Sequence, residues 1–385
     1  MAARLEPGNV RRMHQTLHHL VADAPWSDDR VLDQVRGYAL SSMRRRGPVT
    51  CWVVDDTGFP KKGGHSVGVA RQYCGQLGKQ ENCRVAVGLS VATRQASIPV
   101  AFQLYLPKSW AAAGERRARA GIPDSMQFQT KPQISLGQIR RTLEARVPPG
   151  VVLADAGYGV DGKFREGITS LGLRYAVGVQ SSITVWEPGK EPLQPKPYCG
   201  TGRPPKLLRR DPDCRPVSAG QLAQSLPADA WKSVTWREGT KRDLRSRFAA
   251  VRIRPAHRDY WRAEPHPEEW LLIEWPEVEP EPTKFRLSTL TPETELKALV
   301  GIAKQRWVIE RDYEELKQEL GLGHYEGRGW RGFHHHATLC IASYGFLVAE
   351  RSRFPPSAQI RHVGLRPPEV PSGFKPRGSP PTGEA

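Results

Sequence analysis

Apolar side chains recur at helical spacing through the first 48 residues. Val10, Met13, Leu17 and Leu20 share one face, and Asp28-Asp29 opens a second helix. At Val49 the period changes. Cys51-Trp52-Val53-Val54 is an unbroken apolar run ending in Asp55-Asp56 and a turn-like Thr57-Gly58-Phe59, the pattern of a buried strand that delivers side chains at its C-terminal end. Residues 84–93 and 97–107 read as two more strands, antiparallel neighbours, and a helix follows over Gly137 to Arg146. Val151-Val152-Leu153-Ala154 then repeats the first design, an apolar strand leading to Asp155 and a Gly-rich turn, and residues 173–186 give one or two further strands.

Composition shifts at Pro188. Residues 187–216 are dense in Pro, Gly, Lys and Arg and cannot form regular core. Strand-like pieces at 246–255 and 268–277 come next, so 189–288 reads as an insertion of loops and strands. A long helix is predicted from Thr291-Pro292-Glu293 through Leu320, and an apolar closing helix over 336–353. The expected organisation is a helical region at 1–48, a core at 49–188 and 289–352 split by the module 189–288, and a disordered Pro- and Arg-rich tail at 353–385.

The chain of 385 residues carries 57 Lys and Arg against 40 Asp and Glu, a formal charge of +17. Such a surplus suits a polyanion, because each neutralised phosphate releases condensed counterions; an Arg-rich genome is the plainer explanation. No apolar run is long enough to span a membrane, and the first residues lack a signal peptide's apolar core, so a cytoplasmic protein is expected. The six cysteines form no closely spaced pair, which argues against structural zinc and for packing roles. Trp52, Trp270 and Trp307 sit in apolar runs and read as core, while Trp236 is a candidate for stacking on a base.

Three acids stand out. Asp55 and Asp155 each end an apolar strand, where a carboxylate either caps an Asx turn or faces a cation. Two such acids favour the cation, since Mg²⁺ binds through one or two carboxylates plus phosphate oxygens. On the last long helix Ile302, Ile309, Leu316 and Leu320 form the apolar stripe, and Arg306, Glu310 and Lys317 line one edge of it. A solvated i,i+4 Arg–Glu pair explains that row equally well. Lys61-Lys62 beside the first acid reads as a DNA contact or a solvated turn. Gly202-Arg203-Pro204-Pro205-Lys206 resembles a minor-groove hook as much as a generic basic loop, with Arg209 and Arg210 close by. Consecutive His334-His335-His336 diverge around a helix, so phosphate contact is expected of them before metal.

Arg306-x3-Glu310-x6-Lys317 matches the R-(3)-E-(6)-K part of the Y-(2)-R-(3)-E-(6)-K signature of a branch of bacterial insertion-sequence transposases. Residues 55–79 and 323–339 resemble the same family's blocks around its first and third acids, and Val152-Leu153-Ala154-Asp155-Ala156-Gly157-Tyr158-Gly159 is similar to its second. The resemblance spans roughly residues 10–350. It implies an α/β, RNase H-like mixed-sheet core with flanking helices, interrupted by a β-rich insertion, plus a short N-terminal helical region that is part of a DNA-binding unit. By the family's D-x-T pattern it assigns Asp55, Asp155 and Glu310 as catalytic and metal-binding acids, with Asp56 the competing first acid. It implies two Mg²⁺ ions, which Mn²⁺ can replace, and phosphate contacts from Arg306, Lys317, Lys61, Lys62, Arg203 and Lys206.

The activity implied is metal-dependent cleavage and strand transfer at the ends of an insertion sequence. Partners are terminal inverted repeats and target DNA, in a nucleoid-associated homodimer on the DNA ends. A catalytically idle, repressing DNA-binding remnant and a general RNase H-like nuclease are the alternatives. Two departures accompany the resemblance. The signature tyrosine falls on Ala303, with Tyr313 one turn past Glu310, and the family's members begin further upstream, so an N-terminally shortened member is expected.

Overall fold

A computed structural model describes residues 2–237 and 244–354; most of the tail expected to be disordered lies outside them. Among the described residues twelve strands form one mixed sheet: β1 (Cys51–Pro60), β2 (Ala70–Cys74), β3 (Lys79–Ala92), β4 (Ser97–Leu104), β5 (Val151–Ala154), β6 (Tyr175–Val179), β7 (Thr184–Trp186), β8 (Val217–Ser218), β9 (Lys232–Arg237), β10 (Leu244–Pro255), β11 (Glu269–Trp275) and β12 (Lys284–Ser288). The path runs β2-β3-β1-β5-β6-β12-β11-β10-β7-β8, with β4 paired to β3 and β9 to β10. Among these pairs β1–β5 and β5–β6 are parallel, and β1–β3 and β3–β4 are antiparallel. With helices packed against it, this sheet is the RNase H-like arrangement expected.

The central strands are buried on both faces, which is why they read as unbroken apolar runs rather than alternating ones. Cys51, Trp52, Val53 and Val54 are fully buried, and Trp52 donates its indole N–H to the Pro148 carbonyl at 3.0 Å. The helix Asp28–Arg44 is capped by Ser27 and buries Leu32, Ala39, Leu40 and Met43; it packs on the last helix, Trp330–Arg353. Val10–Ala22 is helical as expected, yet has no buried residue. The helix expected from Gly137 starts earlier and spans Lys131–Glu144. A Thr130–Gln133 capping box and Pro132 in the first turn set its start.

Strands β9 to β12, within 189–288, extend the central sheet instead of packing apart from it, because β12 pairs with β6 from Phe285↔Val179 to Ser288↔Ala176. The helix expected to run unbroken to Leu320 is interrupted. Leu296–Ala303 and Trp307–Gln318 are α-helices, and Lys304-Gln305-Arg306 between them winds as a tighter 3₁₀ turn. Its side chains are drawn three ways: Lys304 to Glu274, Gln305 to the Thr93 carbonyl, and Arg306 to Asp55. Of the cysteines, Cys51, Cys74, Cys83 and Cys340 pack inside as free thiols, whereas Cys199 is exposed. Trp52 is core as expected; Trp270 and Trp307 are only half-buried.

Two buried acids tie these layers together. Asp312, fully buried on the Trp307–Gln318 helix, accepts from the hydroxyls of Ser97, Ser90 and Tyr344 at 2.5, 2.8 and 2.9 Å, joining that helix to β3, β4 and the last helix. Glu274 on β11 receives Arg286 at 3.3 Å and Lys304. Burial alone would raise Glu274, but Lys304 and Arg286 outweigh it and hold the carboxyl below its usual range.

Removing the Asp312 carboxylate strands three buried hydroxyls, so Asp312→Ala is expected to cost about 3 kcal/mol in denaturant unfolding. Burial raises Asp312 from 3.8 to about 6, so its favourable contribution to folding is present below 3.8 and lost as pH rises through about 6. Asp312→Asn mimics the protonated acid and should gain stability relative to the wild type across that window. Parallel pH–stability curves for the two proteins would contradict this.

Candidate active site

Asp55 and Asp56 lie inside β1 and not at its tip, a correction to the sequence reading. The antiparallel register with β3 continues from Cys51↔Ala92 to Pro60↔Cys83, whereas the parallel register with β5 is complete at Val53↔Leu153. Beyond Val53 one edge of β1 is therefore open. Asp155 follows β5 directly, so the parallel register carries it alongside Asp55. It caps the helical turn Ala156–Gly159, accepting from the Gly157 N–H at 2.9 Å. That turn packs closely on β6: a Cβ on Gly178 would meet the Ala156 nitrogen at 2.8 Å. Only glycine lets the strand approach the Asp155 turn this way.

Neighbours on a strand face opposite sides, and this separates the two candidate first acids. Asp55 receives the Arg306 guanidinium at 2.8 Å, and the same guanidinium forms an ion pair with Glu310 through its other terminal nitrogen. Asp56 turns the other way, to Lys131 at 2.9 Å and the Tyr158 hydroxyl at 3.3 Å. The structure thus brings Asp55, Glu310 and Arg306 together, with Asp155 beside Asp55 and Asp56 apart. Nothing in the local pattern had singled out Lys131 or Tyr158, which come from separate elements and meet Asp56 only through the tertiary fold.

The inner part of the site is poorly hydrated, whereas Glu310 at its edge is 57% exposed. The Asp55 side chain is 15% exposed. Burial raises its carboxyl from 3.8 to about 7, with Arg306 opposing the rise and Asp155 adding to it. For Arg306 burial is outweighed by Asp55 and Glu310, and its protonated form is further favoured. Tyr313 is buried and donates to the Asp55 carbonyl at 3.2 Å. It fits because Gly88, the register partner of Asp55, carries no Cβ to collide with its hydroxyl. Lys317 lies half-buried under the site, donating to the Gly58 carbonyl at 2.7 Å and to Gln76 at 3.1 Å, and burial lowers its ammonium to about 8.

Carboxylate oxygens are the donors that hard divalent cations take, so the acids' chemistry fits such an ion. The arrangement here is compensated from within. Among the described residues no three His, Cys, Asp or Glu side chains gather as a metal-binding group, and the Arg306 guanidinium supplies the positive charge between Asp55 and Glu310.

The other sequence candidates divide. Lys61 is committed to the protein, donating to the Tyr325 carbonyl at 2.8 Å and to Glu326 at 3.1 Å, while Lys62 is exposed. Arg203 and Lys206 are exposed on the Pro/Gly-rich loop. Arg209 donates to the Gln194 carbonyl, and Arg210 is locked on Asp259 at 2.5 Å, so neither projects freely. The expectation for the three histidines is overturned. His334 accepts from the Leu104 N–H, His335 stacks on Trp26 at 3.8 Å, and His336 bonds the Gly321 carbonyl; all three staple the last helix to its neighbours. Lys304 covers one face of the half-buried Trp236 ring at 4.3 Å.

Comparison with known proteins bears on the family of the chain. The family model for the DDE superfamily endonucleases matches residues 1–243, a span that holds Asp55 and Asp155 and stops short of Glu310. The chain is also 31% identical over 169 residues to the probable transposase for insertion sequence element IS701 of Microchaete diplosiphon. That match takes in 44% of this chain and 41% of the relative, so the chain spans less than half of the relative's length.

Arg306 is what makes an ionised Asp55 tolerable. Because the Asp55 carboxyl is raised, its contribution to folding is present below 3.8 and lost as pH rises through about 7. In Arg306→Ala that loss should deepen, on the order of 3 kcal/mol above pH 7 and much less well below it. Thermal unfolding at the two pH values checks this, and an equal penalty at both would show that Arg306 does not neutralise Asp55.

Proposed function

The chain belongs to the DDE superfamily endonucleases, and on that footing we propose that it is an insertion-sequence transposase, cutting and rejoining DNA at the ends of its element. The observation that carries the proposal is the meeting of Asp55 and Glu310 on one guanidinium beside Asp155, from a strand, a helix and a strand end far apart in sequence. Membership implies dependence on a divalent metal. We assign the ligands as Asp55, Asp155 and Glu310 and the ions as two Mg²⁺, with Mn²⁺ able to substitute. When bound, such ions supply activation of a water or 3′-hydroxyl and stabilise the leaving oxygen.

The protein's own residues contribute binding and order. Arg306, already shared by two acids, has the planar fork that suits a phosphate. Asp55 must lose its proton to bind a cation, so acid competes with metal around pH 7. Lys317, held under β1 by the Gly58 carbonyl, fixes the strand that carries Asp55 and adds positive charge beneath it. Lys62, Arg203 and Lys206 offer exposed cations to a DNA backbone. Residues 49–188 and 289–352 form the catalytic core, and 189–288 carries the basic loop. The DNA bound is the terminal inverted repeats and the target, by a homodimer associated with the nucleoid. No helix of the described residues is long and apolar enough to cross a membrane.

Asp55→Asn, Asp155→Asn and Glu310→Gln should each abolish metal-dependent nicking of an inverted-repeat end, by at least a thousandfold on the scale of lost metal ligands, while DNA affinity holds or rises. Asp56→Asn should retain activity. Full activity in an Asp55 variant combined with its loss in Asp56→Asn would move the first ligand to Asp56. Equal nicking of random DNA would instead indicate a general nuclease.

Arg203→Ala/Lys206→Ala tests the loop without disturbing the Arg209 and Arg210 contacts. The slope of log K against log salt should flatten by close to one unit for each phosphate that the loop no longer neutralises. An unchanged slope would remove this loop from the DNA interface.

A further inference from the structure

Two clefts meet on the other side of the Trp307–Gln318 helix, away from Asp55. One, of about 430 Å³, lies between that helix, the β3–β4 turn and the end of the last helix; its lining includes Arg46, Arg94, Arg311 and Arg351. The other, of about 820 Å³, lies against the Leu296–Ala303 helix and includes Arg94, Arg237, Lys297 and Lys304. Arg94, Trp307 and Val308 line both, so the two form one trough. Glu295 is the single acid in the combined lining.

The charge is left open rather than paired. Lys304 is neutralised by Glu274, and Arg311 and Arg351 share Glu315. Arg46, Arg94, Arg237 and Lys297 have no carboxylate within ion-pair distance among the described residues, and all four are exposed. Like charges converging on a concave surface repel one another, and the low-dielectric walls focus their potential outward, so the arrangement favours an anion. Two clefts end to end are longer than a compact anion requires and suit a chain of phosphates. The aromatic floor is already occupied, because the Arg237 guanidinium stacks on Trp307 at 3.8 Å. With a guanidinium over that ring, Trp307 presents a cation rather than an open stacking face on that side.

We propose that this trough is a second DNA-binding site, which takes a phosphodiester backbone without regard to sequence. It rests on the reading of the protein as a DNA enzyme. Its position couples it to the acids: Gln305 donates to the Thr93 carbonyl at the trough's wall, and the next residue, Arg306, holds Asp55. A backbone in the trough therefore lies one helical face away from the acids, along a path separate from the Arg203 loop.

The test compares the full chain with Arg94→Ala/Arg237→Ala/Lys297→Ala, in metal-free binding to a random-sequence duplex across a salt series. Arg140→Ala/Arg141→Ala/Lys163→Ala, which removes three exposed cations elsewhere, is the control for net charge. The trough variant should bind at least about tenfold more weakly at low salt and lose close to three units of salt slope, with the control near wild type. Matching thermal midpoints would exclude misfolding, and if the triple variant unfolds early, Lys297→Glu alone should still weaken binding. If the wild type binds with a steep salt slope and the trough variant keeps it, or the control loses as much, the trough proposal is overturned while the DNA reading stands. A wild type with no salt-dependent DNA binding would overturn the DNA reading and the trough with it.

Discussion

The ion triplet Asp55–Arg306–Glu310 is the interaction on which the rest of the site depends. A carboxylate on a strand as buried as β1 is costly without a counter-charge. Arg306 supplies one, and its contact with Asp55 fastens the helix that carries Glu310 to the central sheet. Asp155 lies beside Asp55 by virtue of the parallel β1–β5 register, which ends where the acids begin. The consequence is a cluster of negative charge whose balancing cation belongs to the protein.

The segment that delivers Arg306 also explains the broken helix. Lys304, Gln305 and Arg306 must satisfy Glu274 on β11, the β3–β4 turn and Asp55 on β1, and a regular helix would not direct consecutive side chains to all three at once. Tightening into a 3₁₀ turn solves the geometry and makes this short stretch the junction between the acid site, the added strands of the sheet and the basic trough. Asp312 then anchors the following helix from its far side through three hydroxyls.

Much of the sheet was legible because strands buried on both faces leave continuous apolar runs. Cys51–Val54 and Val151–Ala154 were evident, as was the antiparallel pairing of β3 with β4. The acids on β1 and after β5 stood out as charges set against apolar runs, and Glu310 as part of a polar row beside an apolar stripe. What escaped was set by contacts distant in sequence. Period alone carries no sign of a helix interrupted by three diverging contacts, nor of β12 closing against β6. The three histidines looked exposed by type and are held inside by carbonyls and an indole that no local pattern announces. Lys61 and Arg210 show the same limit: a basic residue beside a candidate site reads as a ligand contact until the structure shows its intramolecular partner.

The most direct test of a shared cation site is to let the cation report its own position. With Fe²⁺ in place of Mg²⁺ and DNA bound, peroxide generates hydroxyl radicals that cut the protein backbone near the metal, and the fragments locate it. Cuts at three places together, around Asp55, Asp155 and Glu310, suppressed by excess Mg²⁺, are the expected result. Cuts confined to other parts of the chain, or cuts near Asp55 and Asp155 with none near Glu310, would contradict the three-acid site.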